Sequence, residues 1–213
     1  MTISTEVIRQ LAEFDAATLY EAAGQRGMVD PAIKPVWQGA KVSGPAVTVS
    51  CPERDNLMLH HAVAVADPGS VLVASAEGYQ YAGAWGEVLS VAAQARGIAG
   101  LVIDGAVRDI EAITERRFPV FSRGLAIGAC KKEQIGTLQE PIDLGGVMVR
   151  SGDIVVGTGD GVVVLDAATI QQVLSSAIAR REREAEIFRQ LQSGKTTIEI
   201  LNLPRWHRPG GAV

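Results

Sequence analysis

Cysteine is almost missing: Cys51 and Cys130 are the only two in 213 residues. They lie far apart and form no CxxC, so neither a zinc site nor a disulfide framework is expected. No excess of basic residues exists either. The net charge of −4 gives no electrostatic reason to expect nucleic acid, which favours a basic stripe. No apolar run approaches the ~20 residues a membrane span needs. The opening Met-Thr-Ile-Ser-Thr-Glu-Val lacks a basic segment followed by an apolar one, so no signal peptide is read and a cytoplasmic location is expected. Internal repeats and low-complexity linkers are absent, and residues 1–213 read as one domain. Hydrophobic content of 47% against 21% charged fits an ordinary globular protein.

What is present is a succession of short elements. Residues 5–23 alternate apolar and polar at helical spacing, with Asp15 a plausible N-cap for a second helix ending at Gly24. Pro31 and Pro35 break the segment after that helix. Val42 to Val49 reads as a strand interrupted by Gly44-Pro45, and Pro45 argues for an edge or a bulge. Asn56 to Ala66 reads as a helix capped by Asn56, followed by the Asp67-Pro68-Gly69 turn and a strand over 71–74. Gly78 to Ala84 looks like a loop approaching a site. From Ile135 to Leu165 short strands alternate with glycine turns, an antiparallel section after an α/β section. Ala168 to Gln192 forms one long helix, and the apolar tail Thr196 to Leu201 suits packing on another subunit.

The stretch from Gly86 to Asp109 organises the rest. Gly86-Glu87 opens an Ala-rich helix that Gly97 closes, and Leu101-Val102-Ile103 is a buried strand. Asp104-Gly105 is expected to turn the chain, and Arg108-Asp109 to begin the next helix, continuing to Arg117. A short strand comes next at Pro119 to Phe121. Each charged residue has a bland reading: Asp109 a cap, Glu87 a complement to the helix dipole, Arg108 a partner to either. Context raises the signal. A helix start exposes N–H groups suited to a carboxylate, a guanidinium can face the same place, and an acid supplies a hard oxygen ligand.

Other residues rank lower. His60-His61 on an Ala/Val helix favours packing over ligation. Asp104 shapes its turn or stands behind the site. Tyr79, Tyr81 and Trp85 favour apolar packing. Gly157-Thr158-Gly159-Asp160-Gly161 looks like a phosphate loop, yet no lysine or helix comes after it, so a hairpin turn is favoured. No nucleotide-type GxGxxG succeeds a first strand.

Trp85-Gly86-Glu87-Val88-Leu89 together with Gly100-Leu101-Val102-Ile103-Asp104-Gly105-Ala106-Val107-Arg108-Asp109 resembles the RraA-like family. Within it, the similarity is to class II pyruvate aldolases that cleave 4-hydroxy-4-methyl-2-oxoglutarate and 4-carboxy-4-hydroxy-2-oxoadipate. Their motif is an acid, twenty residues, then Arg-Asp, matched here by Glu87, residues 88–107 and Arg108-Asp109. The resemblance extends through Gly145-Gly146-Val147 and Ser151-Gly152-Asp153 to the charged C-terminal helix. It implies an α/β fold, an RraA-like swivelling β/β/α sandwich with a long C-terminal helix, assembled as a homotrimer or homohexamer. The best-known aldolases carry Asp where this chain has Glu87, and the extra methylene alters the reach to water.

The resemblance further implies that Asp109 ligates Mg²⁺ or Mn²⁺ while Glu87 holds the ion's waters. Arg108 and the backbone N–H groups of Gly86, Glu87, Val88 and Leu89 would bind the carboxylate end of a 2-oxo acid. Pyruvate would be released from 4-hydroxy-2-oxo diacids, with oxaloacetate decarboxylation as a side activity. A rival reading is a non-catalytic regulator of ribonuclease E, which shares the fold and binds protein. Such regulators need not retain the acid and the Arg-Asp pair together, as this chain does. Residues 167–213 would dock on a neighbouring subunit. By resemblance a C-terminal glutamate reaches the neighbour's site, with Glu184 the best match and Glu186 the next.

Overall fold

The computed structural model describes residues 3–206. Two short helices, Thr5–Leu11 (α1) and Ala16–Ala22 (α2), precede a minimal strand Lys34–Pro35 (β1) and the long strand Val42–Ser50 (β2). Strand and helix then alternate: Leu57–Val65 (α3), Val71–Ser75 (β3), Gly83–Trp85 (β4), Glu87–Ala95 (α4), Gly100–Val107 (β5), Ile110–Glu115 (α5) and Val120–Leu125 (β6). Short strands come next: Thr137–Leu138 (β7), Ile142–Leu144 (β8), Val147–Val149 (β9), Ile154–Thr158 (β10) and Gly161–Leu165 (β11). The helices Ile170–Gln192 (α6) and Thr197–Ile200 (α7) close the described chain.

The main sheet runs β1-β6-β5-β3-β2-β10-β11, with β4 added along β5 and β7 along β2. Strands β2, β3, β5 and β6 are mutually parallel, and β4 is parallel to β5. Connections through α3, α4 and α5 make this the α/β half expected from the sequence. The hairpin β10–β11 turns through Thr158 and Gly161, which pair across it, so the glycine-rich run there is a hairpin and not a phosphate loop. Strands β8 and β9 form a separate small hairpin. The fold is thus α/β with a long C-terminal helix. No helix among the described residues is long and apolar enough to cross a membrane.

Both faces of the parallel strands are buried. One packs under α3, α4 and α5 through residues such as Leu59, Leu89, Ala93, Ile113 and Phe118, and the other under Ile33, Leu144, Val149 and Val155. A third cluster joins α1, α2 and α6 to β10 and β11 through Leu11, Leu19, Val163, Ile170 and Ala177. Continuous burial explains why β3 and β5 read as unbroken apolar runs.

Three expectations are corrected. Strand β2 is not interrupted at Gly44-Pro45. Residues 42–45 pair with β10, and 46–50 with β3 on the other flank. Pro45 thus sits at the handover, before its second flank acquires a partner, and its missing N–H leaves no ladder bond unmade. A Cβ at Gly44 would lie 2.4 Å from the Gly69 carbonyl oxygen, so this crossing needs glycine. Second, Asp104-Gly105 does not turn the chain. Strand β5 runs through it with all eight residues buried, and only its register against β6 slips between Ile103 and Ala106. Buried pairing on both sides overrides the local turn preference. Third, Asn56 does not cap α3 with its side chain. Asp55 takes that role, its Oδ1 accepting from Leu57 N–H at 2.9 Å.

Candidate active site

Parallel α/β sheets place ligands beyond the carboxyl ends of their strands, and β4 and β5 end side by side. Trp85 is in register with Val107. Just past the strand ends come Gly86 and Glu87 on one side and Arg108 and Asp109 on the other. The twenty-residue spacing of the motif is one strand–helix–strand crossover, which carries the chain back to where it began.

Trp85 anchors this end. It is fully buried, stacks on Phe118 with 5.9 Å between centroids, and its Nε1 donates to Ser90 Oγ at 2.8 Å. Ser90 Oγ in turn donates to the Gly86 carbonyl at 3.0 Å. Truncating such a side chain to alanine costs about 3–5 kcal/mol, so the turn at Gly86 hangs from a firm support. Arg108 N–H donates to the Trp85 carbonyl at 2.9 Å, tying the two strand ends together.

Asp109 occupies the left-handed region, φ 59° and ψ 42°, which aspartate tolerates better than most residues. Its Oδ2 accepts from the Glu87 N–H at 3.0 Å, so Asp109 serves the N-terminus of α4 rather than its own helix. A Cβ on Gly86 would stand 2.3 Å from that oxygen. Arg108 Nε lies 3.6 Å from Asp109 Oδ2, and both side chains are about two-fifths exposed. Of the four backbone donors expected to meet substrate, Glu87 N–H is already committed to Asp109. Val88 and Leu89 lie in the first helical turn, where N–H groups have no intrahelical acceptor.

Glu87 is not free. Arg116 from the end of α5 donates to its Oε1 through Nε at 3.0 Å and Nη2 at 2.6 Å. Both partners are about two-fifths exposed, where ion pairs contribute little to stability; the contact orients the carboxylate. Sequence reasoning misses Arg116, because an arginine at a surface helix end carries no signal of its own. Glu184 is not brought to this place within the protomer. It pairs with Arg180 at 3.1 Å, an i,i+4 contact within α6, and Arg180 also reaches Glu21.

A cleft of about 310 Å³ opens here, lined by Gly86, Val88, Leu89, Arg108 and Asp109 on one side. Asn56, His60, Cys130 and Lys132 also line it. Of the pair His60-His61, His61 is exposed and His60, half-buried, faces the cleft. Burial and then the charges of Lys132 and His61 push the His60 imidazole below its ordinary value. Burial raises the Cys130 thiol and pushes Cys51 up to about 12, so neither is an activated nucleophile. Asp104 is buried and faces partners that do not line the cleft, accepting from Arg123 Nε at 2.5 Å and from Gly145 N–H at 3.2 Å. Tyr81 is exposed and lies edge-on to Tyr79.

The family model described as RraA-like, Aldolase/RraA, matches residues 14–164. The chain belongs to the RraA-like family. A relative in Halalkalibacterium halodurans, named "Putative 4-hydroxy-4-methyl-2-oxoglutarate aldolase", is 43% identical over 145 residues, 68% of this chain and 69% of that protein. Among solved structures, an uncharacterised protein from Pseudomonas syringae pv. tomato superposes with a TM-score of 0.84 at 30% identity, covering 92% of both chains. Streptomyces coelicolor RraAS2, described as an unusual member of the RNase ES inhibitor RraA family, superposes with a TM-score of 0.79 at 28% identity over 89% of this chain and 98% of its own. The RraA-like assignment rests on a match that includes the whole Glu87–Asp109 crossover.

No group of three or more His, Cys, Asp or Glu side chains placed to hold a metal occurs among the described residues. The oxygen donor at the cleft is instead one half-exposed carboxylate, Asp109, while the Glu87 carboxylate is turned to Arg116. That suits a hard, hydrated cation, since Mg²⁺ keeps several waters and takes one or two carboxylates.

Proposed function

We propose that this RraA-like protein is a divalent-metal-dependent aldolase that releases pyruvate from 4-hydroxy-2-oxo diacids such as 4-hydroxy-4-methyl-2-oxoglutarate or 4-carboxy-4-hydroxy-2-oxoadipate. The observation that carries the reading is the meeting of Asp109, Arg108 and the start of α4 at one edge of one cleft. The name of the Halalkalibacterium halodurans relative supports the aldolase class.

In this reading Asp109 would hold Mg²⁺ or Mn²⁺, and Glu87, paired with Arg116, would hold waters of the ion. The ion, when bound, polarises the 2-oxo group of the substrate. Arg108 and the N–H groups of Val88 and Leu89 bind the adjoining carboxylate. As the C3–C4 bond breaks, its electron pair passes into the pyruvate enolate, whose charge Arg108 complements. The C4 hydroxyl proton would pass to a hydroxide held by the carboxylates, which becomes water, as C4 becomes a carbonyl. Protonation at C3 then yields pyruvate. Oxaloacetate loses carbon dioxide through the same enolate, so decarboxylation accompanies cleavage.

The site is read as shared between copies of the chain. Tyr81, Leu125 and Ile127 are strongly exposed apolar side chains in a groove that also contains Arg108 and Asp109, and Ile198, Leu201 and Trp206 are exposed on the C-terminal segment. A homotrimer or homohexamer covers such surfaces and lets Glu184, or else Glu186, of one copy approach the cleft of another. The RraA-type regulator remains the second reading, supported by the likeness to RraAS2. It gives no use to the acid and the Arg-Asp pair. A pyruvate-release assay over a panel of 4-hydroxy-2-oxo acids, with and without Mg²⁺, separates the two. Release from none of them would leave the regulator.

A further inference from the structure

Glu87 and Arg116 meet through a closed circuit of contacts. Glu87 lies two residues after Trp85 and Arg116 two residues before Phe118, and those two buried rings are stacked. The support that fixes the turn at Gly86 therefore also fixes the end of α5. Arg116 is held there by its backbone: its N–H donates to the Ala112 carbonyl at 3.1 Å, and its carbonyl accepts from Gln94 Nε2 at 3.1 Å. Gln94 lies about two turns after Glu87 on the same face of α4. Arg117 ends α5 in the left-handed region, φ 52°, and Phe118 N–H closes the cap on the Ile113 carbonyl at 3.2 Å.

Glu87 is thereby held at both ends. Its backbone N–H is spent on Asp109 Oδ2 at 3.0 Å. Its side chain takes two bonds from the guanidinium, at 3.0 and 2.6 Å, and both fall on Oε1. Oε2 has no hydrogen-bond partner among the described residues, so the carboxylate is tethered through one oxygen and open at the other. An exposed ion pair of this kind adds little to stability. What the planar fork does supply is geometric definition of an otherwise mobile side chain.

We propose that Arg116 is a positioning residue for the metal site: it holds Glu87 by Oε1 so that Oε2 is the oxygen offered to the waters of the divalent ion at Asp109. The inference rests on the metal-dependent reading. It carries a sign that charge alone does not. Taking a cation away from the neighbourhood of a dication strengthens the dication's binding, whereas taking away the tether of an outer carboxylate weakens it.

Mn²⁺ affinity, read from the free-ion signal in electron paramagnetic resonance at low salt, tests this without turnover. Arg116→Gln is expected to weaken Mn²⁺ binding at least ~3-fold, a step below the ~10–100-fold typical of partners that bond a ligand directly. Far-ultraviolet circular dichroism should stay that of the wild type. Arg116→Lys keeps the charge and loses the fork, and it too should bind Mn²⁺ more weakly than the wild type. In a Glu87→Ala background, Arg116→Gln should leave the affinity unchanged or tighten it, since the tether then has nothing to hold. Affinity equal to or tighter than wild type in Arg116→Gln, or in Arg116→Lys should the glutamine variant misfold, overturns the proposal. The same loss in the Glu87→Ala background also overturns it. Mn²⁺ binding that is absent in the wild type, or unchanged in Asp109→Asn, overturns the metal reading and the proposal with it. Binding that Asp109→Asn abolishes but Arg116 does not affect overturns the proposal alone.

Discussion

The backbone N–H of Glu87 donates to Asp109 Oδ2 at 3.0 Å across 22 positions of sequence. The bond exists because β4 and β5 end in register at Trp85 and Val107, and Glu87 and Asp109 each lie two residues beyond. Nothing with a side chain fits at Gly86, where a Cβ would meet that oxygen at 2.3 Å. Gly86 is extended, φ −160°, so the constraint is close approach and not backbone strain. Gly86→Ala should displace the Asp109 carboxylate and lower kcat/KM about 100-fold, the order expected for a 1 Å misplacement. Far-ultraviolet circular dichroism should remain that of the wild type. An alanine variant with full turnover would show that Asp109 need not stand where it does.

Arg108 presents its guanidinium to the cleft beside Asp109. Arg108→Lys keeps the charge and loses the planar fork, so the exchange is not conservative. The expected fall in kcat/KM is at least ~10-fold, about 1.4 kcal/mol. Steady-state kinetics equal to wild type would reduce Arg108 to a structural residue.

The crossover from Glu87 to Asp109 is legible in the sequence, because helix closure at Gly97 and an apolar strand leave little choice of path. Asp104-Gly105 misleads, since a turn-forming pair is drawn into a strand buried on both faces. Asn56 reads as a cap, and only packing reveals that Asp55 caps while Asn56 turns to Ala84 and the cleft. Arg116 and Lys132 are invisible as site residues, because long surface cations carry no mark of the group they will face. The capping box between Thr196 and Glu199 has the spacing of its motif inside a segment that reads only as an apolar tail.

Asp55 supplies the clearest pH dependence of stability. Burial raises its carboxyl, but N–H donors from Leu57, Glu133 and Gln134 and the charge of Lys131 outweigh it, and the net value lies below the ordinary 3.8. A depressed carboxylate contributes stability above its unfolded value, and that stability is lost as pH falls through the folded one. Asp55→Asn should therefore lower Tm at pH 7, by about 4–8 °C if one or two of these bonds are lost. The difference from wild type should shrink on acidification below the unfolded carboxyl value. Thermal melts across pH 3–7 read this directly, and a gap that stays constant would contradict it.

Glu184 pairs with Arg180 within its own helix, far along the chain from the cleft it is proposed to complete in another copy. Asp109→Ala and Glu184→Ala subunits should each be nearly inactive alone. Mixed under exchange conditions they should recover part of the activity, because some interfaces then carry both intact residues. No recovery, together with full activity of Glu184→Ala alone, would leave α6 a role in assembly only.

The most direct measurement of the central claim is pyruvate release from 4-hydroxy-4-methyl-2-oxoglutarate by metal-stripped protein, titrated with Mg²⁺ or Mn²⁺. Asp109→Asn is measured alongside, since asparagine tolerates the left-handed backbone and removes only the charge. The account predicts no turnover after chelation, recovery on adding either ion, and no recovery in the variant at any metal concentration. Unchanged turnover after thorough chelation, or a fully active Asp109→Asn protein, would contradict it.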